Sequence, residues 1–229
     1  GKDNAIPVEA SAQVVVSDEA AARQAAERMA EALAREYAAA DPGLRMEMAA
    51  CGASETPMDK ASTEKAVCML TCLPNGIQAM SMDIPGLVQT SLNLGILTTE
   101  EDSLTATFCV RSSLGSQKEM LHRRLRTLMA QLGGTVSISG DYPAWEYRQD
   151  SSLRDLMTEV FLEQYGRKPK IEAIHAGVEC GILSGKLPGL DCVSVGPNLL
   201  DIHTPRERME IASVQRVWRF VLEVLKRSK

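Results

Sequence analysis

Residues 87–113, LVQTSLNLGILTTEEDSLTATFCVRSS, contain two segments rich in β-branched and apolar residues on either side of the polar turn TTEEDS. This arrangement is typical of a β-hairpin, because turn residues separate two segments of strand-forming residues. The segment just before it, GIQAMSMD at 76–83, has the composition of a third strand. The sequence therefore predicts an antiparallel sheet built around residues 87–113.

Helices and further strands are predicted before and after these strands in the sequence. Three helices are predicted from apolar residues at helical spacing. The first runs from Ser17 or Asp18 to about Ala40, the second is capped by Ser62 or Thr63, and the third covers 116–134. The additional predicted strands lie at 4–18, 44–52 and 135–140. Together these elements predict an α+β layer domain over residues 1–141.

Residues 142–229 show a different pattern, in which helical and strand-like segments alternate as in a parallel α/β sheet. The segments are a helix at about 151–166, a strand at 170–175, a helix start at 176–184, a strand at 191–195 and a helix at 210–227. Two strands would leave unpaired sheet edges unless other strands completed the sheet. The sequence thus predicts half of an α/β domain here.

The composition is that of an ordinary soluble globular protein, with 45% hydrophobic and 24% charged residues among 229. The net charge of −5 and the lack of a dense Lys/Arg cluster argue against a nucleic-acid partner. Apolar stretches are far shorter than the roughly 20 residues of a membrane span, and no secretory leader begins the chain. We therefore expect a cytoplasmic protein without a membrane partner. The opening GKDNAIP lacks a Met, which suggests a fragment or a processed chain.

Several side chains are expected to have structural roles. Trp218 and Phe220 of the amphipathic C-terminal helix are expected to pack in the core. His122 is expected at the surface or at an interface. The cysteines lie in apolar runs and are expected to be buried thiols of a reducing compartment: Cys51, Cys68, Cys72, Cys109, Cys180 and Cys192.

His203 stands where a strand-like run joins the last helix, in GPNLLDIHTPRERMEI at 196–211. A neutral imidazole can bind Zn²⁺, and strand-end loops of α/β sheets are where such ligands gather. The alternative is an ordinary capping or solvent-exposed loop histidine, and the residues alone favour that alternative. One histidine cannot hold a catalytic metal by itself.

Seven short segments, in their order along the chain, carry a resemblance that covers almost all of it. The most specific are IHAGVECGIL (174–183) and VSVGPNLLDIHTPRERMEI (193–211). The others are KDNAIPVEA (2–10), LPNGIQAMS (73–81), GLVQTSLNLGILTTEED (86–102), VRSSLGS (110–116) and GDYPAWEY (140–147). Together they resemble the aminoacyl-histidine dipeptidases, also called Xaa-His or cytosol non-specific dipeptidases, of the M20 metallopeptidase family.

The resemblance implies a zinc-dependent enzyme of two domains. Residues 1–141 would be most of an α+β lid domain that mediates homodimerisation, and 142–229 would be the C-terminal part of an α/β zinc-peptidase domain. Such an enzyme hydrolyses Xaa-His and other dipeptides with two zinc ions or other divalent metals. The family's remaining metal ligands and its glutamate general base are missing from this chain. We therefore expect no catalytic residue here and no activity of the chain alone.

Five residues match positions that have roles in the family. His203 resembles its C-terminal zinc ligand, and Arg111 resembles an arginine whose guanidinium fork binds the terminal carboxylate of the substrate bidentately. Asn93 would reach a substrate carboxylate, although an Asn close to a Gly in a strand is also typical of a bulge. Glu179 would receive the α-amine of the dipeptide or simply begin a helix, and His175 would shape the same pocket.

Two other functions fit the same residues. One alternative is a non-enzymatic binding or dimerisation module whose lid is the functional unit. The other is an M20 carboxypeptidase or deacylase of different specificity. Zinc content and hydrolysis of a Xaa-His dipeptide distinguish the module from the enzyme. Faster hydrolysis of acylated amino acids than of dipeptides would identify the carboxypeptidase or deacylase.

Overall fold

The computed structural model describes residues 2–52, 56–172, 179–202 and 204–228, which form a mixed α+β arrangement. The helices are α1 (Glu19–Glu36), α2 (Lys60–Cys72), α3 (Gly115–Leu132), α4 (Ser152–Tyr165), α5 (Glu179–Lys186) and α6 (Ile211–Arg227). The strands are β1 (Gly76–Met80), β2 (Val88–Thr99), β3 (Leu104–Ser112), β4 (Leu199–Leu200) and β5 (Arg208–Met209).

The chain divides into two compact units, one of Pro7–Thr71 and the other of Gly1–Ile6 together with Cys72–Lys229. The domain boundary expected between residues 141 and 142 lies inside the larger unit. This division does not test that boundary, which stays a prediction. Within the described ranges, no helix is long and apolar enough to cross a membrane.

Two helices, α1 and α2, begin at aspartate N-caps. The Asp18 carboxylate accepts a hydrogen bond from Ala21 N at 2.9 Å, which confirms one of the two predicted caps of α1. In α2 the cap is Asp59, whose carboxylate accepts from Ser62 N at 2.7 Å. This hydrogen bond lowers the pKa of Asp59. The predicted caps Ser62 and Thr63 are wrong, because both residues lie inside the helix that Asp59 caps.

The antiparallel sheet predicted from the sequence is present, with strand order β1-β2-β3. The predicted hairpin is confirmed as β2 and β3, which the turn at residues 100–103 joins. One face of the sheet packs on α3, where Leu92 of β2 contacts Leu121 and Leu125. Gly133 ends α3 in the left-handed conformation (φ 78°), which glycine adopts without a Cβ clash.

Four predicted strands are wrong, since residues 4–18, 44–52, 135–140 and 191–195 form no strand. Each has a composition that favours a strand, but that preference is realised only where a neighbouring strand completes the hydrogen-bond ladder. A fifth strand is predicted at 170–175. Residues 170–172 form no strand, and residues 173–175 lie outside the described residues. The described residues after 142 contain a short antiparallel β4–β5 pair and no parallel sheet.

The core of the C-terminal part lies between α4 and α6. Met157 and Val160 of α4 pack with Phe220 and Val224 of α6. Phe220 is 6% exposed, which confirms its predicted packing, whereas Trp218 is 64% exposed and its predicted core position is wrong. The two aromatic residues are two positions apart, and residues at that spacing lie on different faces of a helix.

The N-terminus of α4 is capped by a side chain that also contacts a distant loop. Ser151 Oγ accepts from Arg154 N at 3.0 Å and donates to Asp191 Oδ1 at 2.7 Å. Asp191 Oδ2 accepts from Leu153 N at 3.0 Å. Burial raises the pKa of Asp191, but these hydrogen bonds and two nearby arginines outweigh the burial and bring the pKa below its ordinary value.

The expected burial of the thiols and the expected position of His122 at the surface are wrong, whereas the alternative of an interface position for His122 stays a prediction. Cys51 and Cys72 are exposed, and the other four cysteines are half-buried. His122 is 8% exposed, and its Nδ1 lies 3.9 Å from a Glu119 carboxylate oxygen. Since His122 and Leu125 are three residues apart, they share the face of α3 that packs on the sheet.

Candidate functional site

An open cavity of about 530 Å³ lies at the loop that joins β4 to β5. The cavity is lined by Asp201, Pro205, Arg206, Glu207 and Arg208. Position 203 belongs to this loop but lies outside the described residues, so the zinc-ligand role of His203 stays a prediction. The described lining carries two carboxylates and two guanidinium groups. A cavity with such a lining suits a charged or polar ligand.

The loop turns sharply on Asp201. This residue has a φ of 54°, in the left-handed region that Asp tolerates better than most side chains. Thr204 donates to Asp201 O through its backbone N at 3.2 Å and through its hydroxyl at 2.7 Å. The Asp201 carboxylate accepts from Arg208 Nη2 at 3.0 Å. The Asp201 carboxylate is therefore already paired with a cation on the returning strand.

Below the loop, the segment GPN is bonded to the start of α6. Asn198 Nδ2 donates to Glu210 Oε2 at 2.7 Å, and Glu210 N donates to Asn198 O at 3.0 Å. Asn198 N donates to Ser213 Oγ at 2.9 Å. The hydrogen bond from Arg216, followed by the one from Asn198, lowers the pKa of Glu210. These contacts fix both ends of the β4–β5 hairpin to α6, and thereby position the cavity loop.

Glu179 is the first residue of α5, and its side chain is exposed. A carboxylate at a helix N-terminus is favoured by the helix dipole, so its position fits the helix-start alternative as well as an amine site. Gly181 lies close to the segment GDYPAWEY, because a Cβ on it would lie 2.9 Å from Pro143 O. The partner proposed for Glu179, His175, lies outside the described residues. The amine-binding pocket therefore stays a prediction.

Arg111 and Asn93 lie on one face of the sheet. Arg111 of β3 pairs with Ser91, and Asn93 of β2 pairs with Cys109, so the four side chains share a face by strand alternation. This face is opposite the one that packs on α3, which carries Leu92. Arg111 is half-buried. The sheet therefore makes the two predicted carboxylate-binding residues diagonal neighbours, whose separation is typically about 7–8 Å.

The alternative interpretation of Asn93 as part of a bulge also has support. The register of β2 and β3 shifts between Leu94 and Ile96, at Gly95, two positions after Asn93. Asn93 Nδ2 donates to Ala5 O at 2.8 Å. Residues 2–3 lie beside the bulge, because a Cβ on Gly95 would collide with their carbonyl oxygens. Asn93 thus has a structural contact that the sequence did not predict.

The described residues do not form a complete zinc site. Among them no group of three or more His, Cys, Asp or Glu side chains could hold a metal ion. Zinc sites in proteins use at least three protein ligands. The Asp201 carboxylate forms an ion pair with Arg208. His203 is therefore the one predicted metal ligand of the cavity loop. The described residues therefore do not by themselves fit a catalytic zinc centre.

Sequence reasoning did not identify the residues that position the cavity loop. Asn198 and Glu210 bond to each other across the base of the hairpin, and Arg206 and Glu207 line the cavity. All four lie within the segment GPNLLDIHTPRERMEI. The signal available in the sequence was the length of this motif around His203. Residues around a metal ligand commonly orient it, so the neighbours of His203 in the motif were candidates for that role.

The arrangement of helices and strands is similar to that of solved peptidase structures. No protein-family model matches the chain. The structure is similar to aminopeptidase PepT from Bacillus cereus ATCC 10987, with a TM-score of 0.54 and 16% identity, over 71% of this chain and 44% of that one. At this identity the similarity concerns the fold alone.

Two dipeptidases are similar to this chain at a higher sequence identity. Aminoacylhistidine dipeptidase from Vibrio alginolyticus matches with a TM-score of 0.77 and 30% identity, over 87% of this chain and 41% of that chain. The cytosol non-specific dipeptidase of Escherichia coli (strain K12) is 29% identical over 225 residues, which are 97% of this chain and 46% of that protein. The chain therefore spans less than half the length of either relative. The resemblance and the mixed α+β fold class predicted from the sequence are confirmed.

Proposed function

We propose that this chain is most of the lid and the C-terminal part of the metal-binding domain of a zinc-dependent dipeptidase that hydrolyses Xaa-His and other dipeptides. The main support is its similarity to two dipeptidases, in sequence over 97% of the chain and in fold over 87%. The charged cavity at the loop that joins β4 to β5 is a suitable place for part of such a site. Because the chain spans less than half of each relative, the activity is proposed for the complete protein. The chain alone is proposed to be inactive.

The C-terminal carboxylate of the dipeptide is proposed to bind Arg111 and Asn93. A guanidinium group forms paired, charge-assisted hydrogen bonds with a carboxylate, and these are roughly twice as strong as neutral ones. The amide of Asn93 has two N–H donors, so it can donate to Ala5 O and to a carboxylate at the same time. Their shared sheet face makes a joint contact with one carboxylate feasible.

The amine end and the metal are proposed to lie at the other predicted residues. Glu179, at the exposed start of α5, would pair with the α-amine of the substrate, and His175 would line the same pocket. His203 would bind one of two zinc ions, and the other ligands and the general base would come from outside this chain. No catalytic residue is assigned to this chain.

The complete protein is proposed to be a cytoplasmic homodimer that forms through the lid, residues 1–141. Its proposed ligands are dipeptides and zinc, and no nucleic-acid or membrane partner is proposed. The name of the Escherichia coli relative, a cytosol dipeptidase, and the negative net charge support this assignment.

Substitution of His203 tests the proposed function. In the complete protein, His203→Ala is expected to reduce hydrolysis of a Xaa-His dipeptide by more than about 100-fold, since loss of a metal ligand exceeds the 10–100-fold effect of residues around it. The protein is expected to remain dimeric. Peptide hydrolysis, bound zinc per protomer and molar mass in solution measure the three quantities.

The matched control is Ile202→Ala, because Ile202 is the neighbouring loop residue and its side chain is 48% exposed. This control is expected to retain activity. Full zinc-dependent activity of His203→Ala would contradict the ligand role. A complete protein that lacks zinc and activity but still dimerises would favour a dimerisation module. Faster hydrolysis of acylated amino acids would favour an M20 carboxypeptidase or deacylase.

A further inference from the structure

Two cysteines that have no predicted role in the site, Cys180 and Cys192, lie at one face of α5. Cys180 and Ser184 are four residues apart in this helix and so share a face. Ser184 Oγ lies 3.6 Å from Cys192 Sγ, so Cys192 lies against the face of α5 that also carries Cys180. Both thiols are half-buried. The fold has therefore brought together two thiols that are twelve positions apart in the sequence.

The turn between the two cysteines reverses the chain against the helix. Leu187 N donates to Leu183 O at 2.9 Å, and Leu190 N donates to Leu187 O at 3.1 Å. Gly189 has a φ of 84°, which favours glycine, and its carbonyl accepts from Arg148 Nη1 at 2.8 Å. These bonds return the chain so that Cys192 faces α5.

Neighbouring contacts fix the backbone on both sides of the pair. Next to Cys192, the Asp191 carboxylate accepts hydrogen bonds from Ser151 and Leu153 at the start of α4. Next to Cys180, Gly181 lies so close to Pro143 that a Cβ would be 2.9 Å from its carbonyl oxygen. A disulfide requires close and correctly directed Cβ atoms. Thiols on an anchored backbone meet that requirement more often than thiols on independent loops.

We propose that Cys180 and Cys192 are a reversible oxidation site, at which a peroxide joins the two thiols into an intramolecular disulfide. One thiolate attacks a peroxide oxygen and becomes a sulfenic acid, with release of one water when the peroxide is hydrogen peroxide. The sulfur of the second cysteine then displaces a second water and forms the S–S bond. Two thiol hydrogens and both peroxide oxygens leave as two waters, so the pair is oxidised and the peroxide is reduced.

The surroundings of the pair set the conditions for this reaction. Burial and the neighbouring Cys192 raise the pKa of the Cys180 thiol, so this thiol stays protonated at neutral pH. The thiolate is the reactive form, and the reaction should therefore accelerate as the pH rises. In the resting state the two cysteines remain thiols. Their oxidation would cross-link the start of α5, beside Glu179, to the loop that caps α4.

Peptide mapping after oxidation of the folded chain tests the proposal. After treatment with hydrogen peroxide and alkylation of the remaining thiols, a non-reducing digest is expected to contain one linked peptide pair, lighter by two hydrogens, that joins positions 180 and 192. Dithiothreitol should return both peptides to the reduced form. Both Cys180→Ser and Cys192→Ser should lack the linked pair.

The matched control is Cys109→Ser, which removes a half-buried thiol of β3 and should leave the linked pair unchanged. A second control is oxidation in concentrated urea, where the selection of this pair should be lost because the folded backbone no longer aligns the sulfurs. Three results would overturn the proposal. They are unmodified cysteines at positions 180 and 192, sulfinic or sulfonic acids there without a link, or a preferred link elsewhere, such as Cys68 to Cys72. The test does not depend on peptidase activity, so it can fail while the proposed function stands.

Discussion

At the scale of single residues, Ser151 shows how one hydroxyl connects two parts of the chain. Its side chain is 2% exposed, and the oxygen both accepts from Arg154 N and donates to Asp191. Loss of the hydroxyl therefore leaves a helix N–H without its cap and a half-buried carboxylate without one of its donors. Such a residue is expected to matter for stability even though it has no predicted role in the site.

Ser151→Ala is expected to lower the free energy of unfolding by about 1–2 kcal/mol, the usual effect of removing a side-chain N-cap with an additional hydrogen bond. Urea denaturation followed by circular dichroism measures the change. Ser152→Ala is the matched control, because Ser152 is the next residue and is exposed. Equal effects of the two substitutions would show that the cap is not the cause.

Arg111 gives a second prediction at this scale. In the complete protein, Arg111→Met should lower kcat/KM for a free dipeptide by about 10–100-fold, the effect of losing a charge-assisted hydrogen bond worth about 1.5–3 kcal/mol. A dipeptide amide, which has no terminal carboxylate, should be hydrolysed by both proteins with similar kcat/KM. Arg123→Met, an exposed arginine of α3, serves as the control. Equal losses on the free and amidated substrates would exclude the carboxylate contact.

At the scale of elements, α6 has apolar side chains on two faces that have different environments. Phe220 and Val224 pack on α4, whereas Trp218 and Leu225 are more than 60% exposed. The amphipathic pattern of the sequence predicted the helix and one packed face. It did not distinguish which aromatic residue belongs to the core, because both lie near the apolar side of the helix.

Phe220→Ala is expected to destabilise the chain by about 3–5 kcal/mol, since a buried aromatic side chain is lost and a cavity remains. Trp218→Ala is the control on the same helix and is expected to change the free energy of unfolding by less than about 0.5 kcal/mol. The midpoint of urea denaturation reports both effects. If Trp218→Ala were the more destabilising, the packing of α6 described above would be wrong.

Strands were the elements that the sequence predicted least well. The β2–β3 hairpin was predicted because a short turn makes its two strands neighbours in space. Residues 44–52 and 135–140 have equally suitable compositions but form no strand. A strand depends on a partner that is distant in sequence, and composition does not identify that partner.

At the scale of the whole molecule, we propose that the chain supplies only part of the metal site. The described residues contain no group of three or more potential ligands, and His203 is the chain's one predicted ligand. A single imidazole binds zinc far more weakly than a set of three or four ligands.

The chain alone is therefore expected to retain much less than one zinc ion per protomer after dialysis against zinc-free buffer. Elemental analysis of the dialysed chain measures this, and the complete protein analysed in the same way is the comparison. Stoichiometric zinc on the chain alone would contradict the proposed division of ligands. Hydrolysis of a Xaa-His dipeptide by the chain alone would contradict its proposed inactivity.

The sequence by itself determined the helices, the central hairpin and the resemblance to the dipeptidases. Caps, turn residues and helical spacing act over a few neighbouring positions, so the cap of α1 could be narrowed to Ser17 or Asp18, and the turn at 100–103 could be identified, without a structure. The motif around HTPRE likewise carried the resemblance because it is a continuous segment.

Only the tertiary structure decided which residues become buried and which distant groups meet. It buried His122, exposed Trp218, and paired Asn198 with Glu210 below the cavity loop. It also placed Cys192 against the face of α5 that carries Cys180. The physical reason is that burial and long-range hydrogen bonds depend on the packing of separate elements. Local sequence restricts that packing but does not select one arrangement.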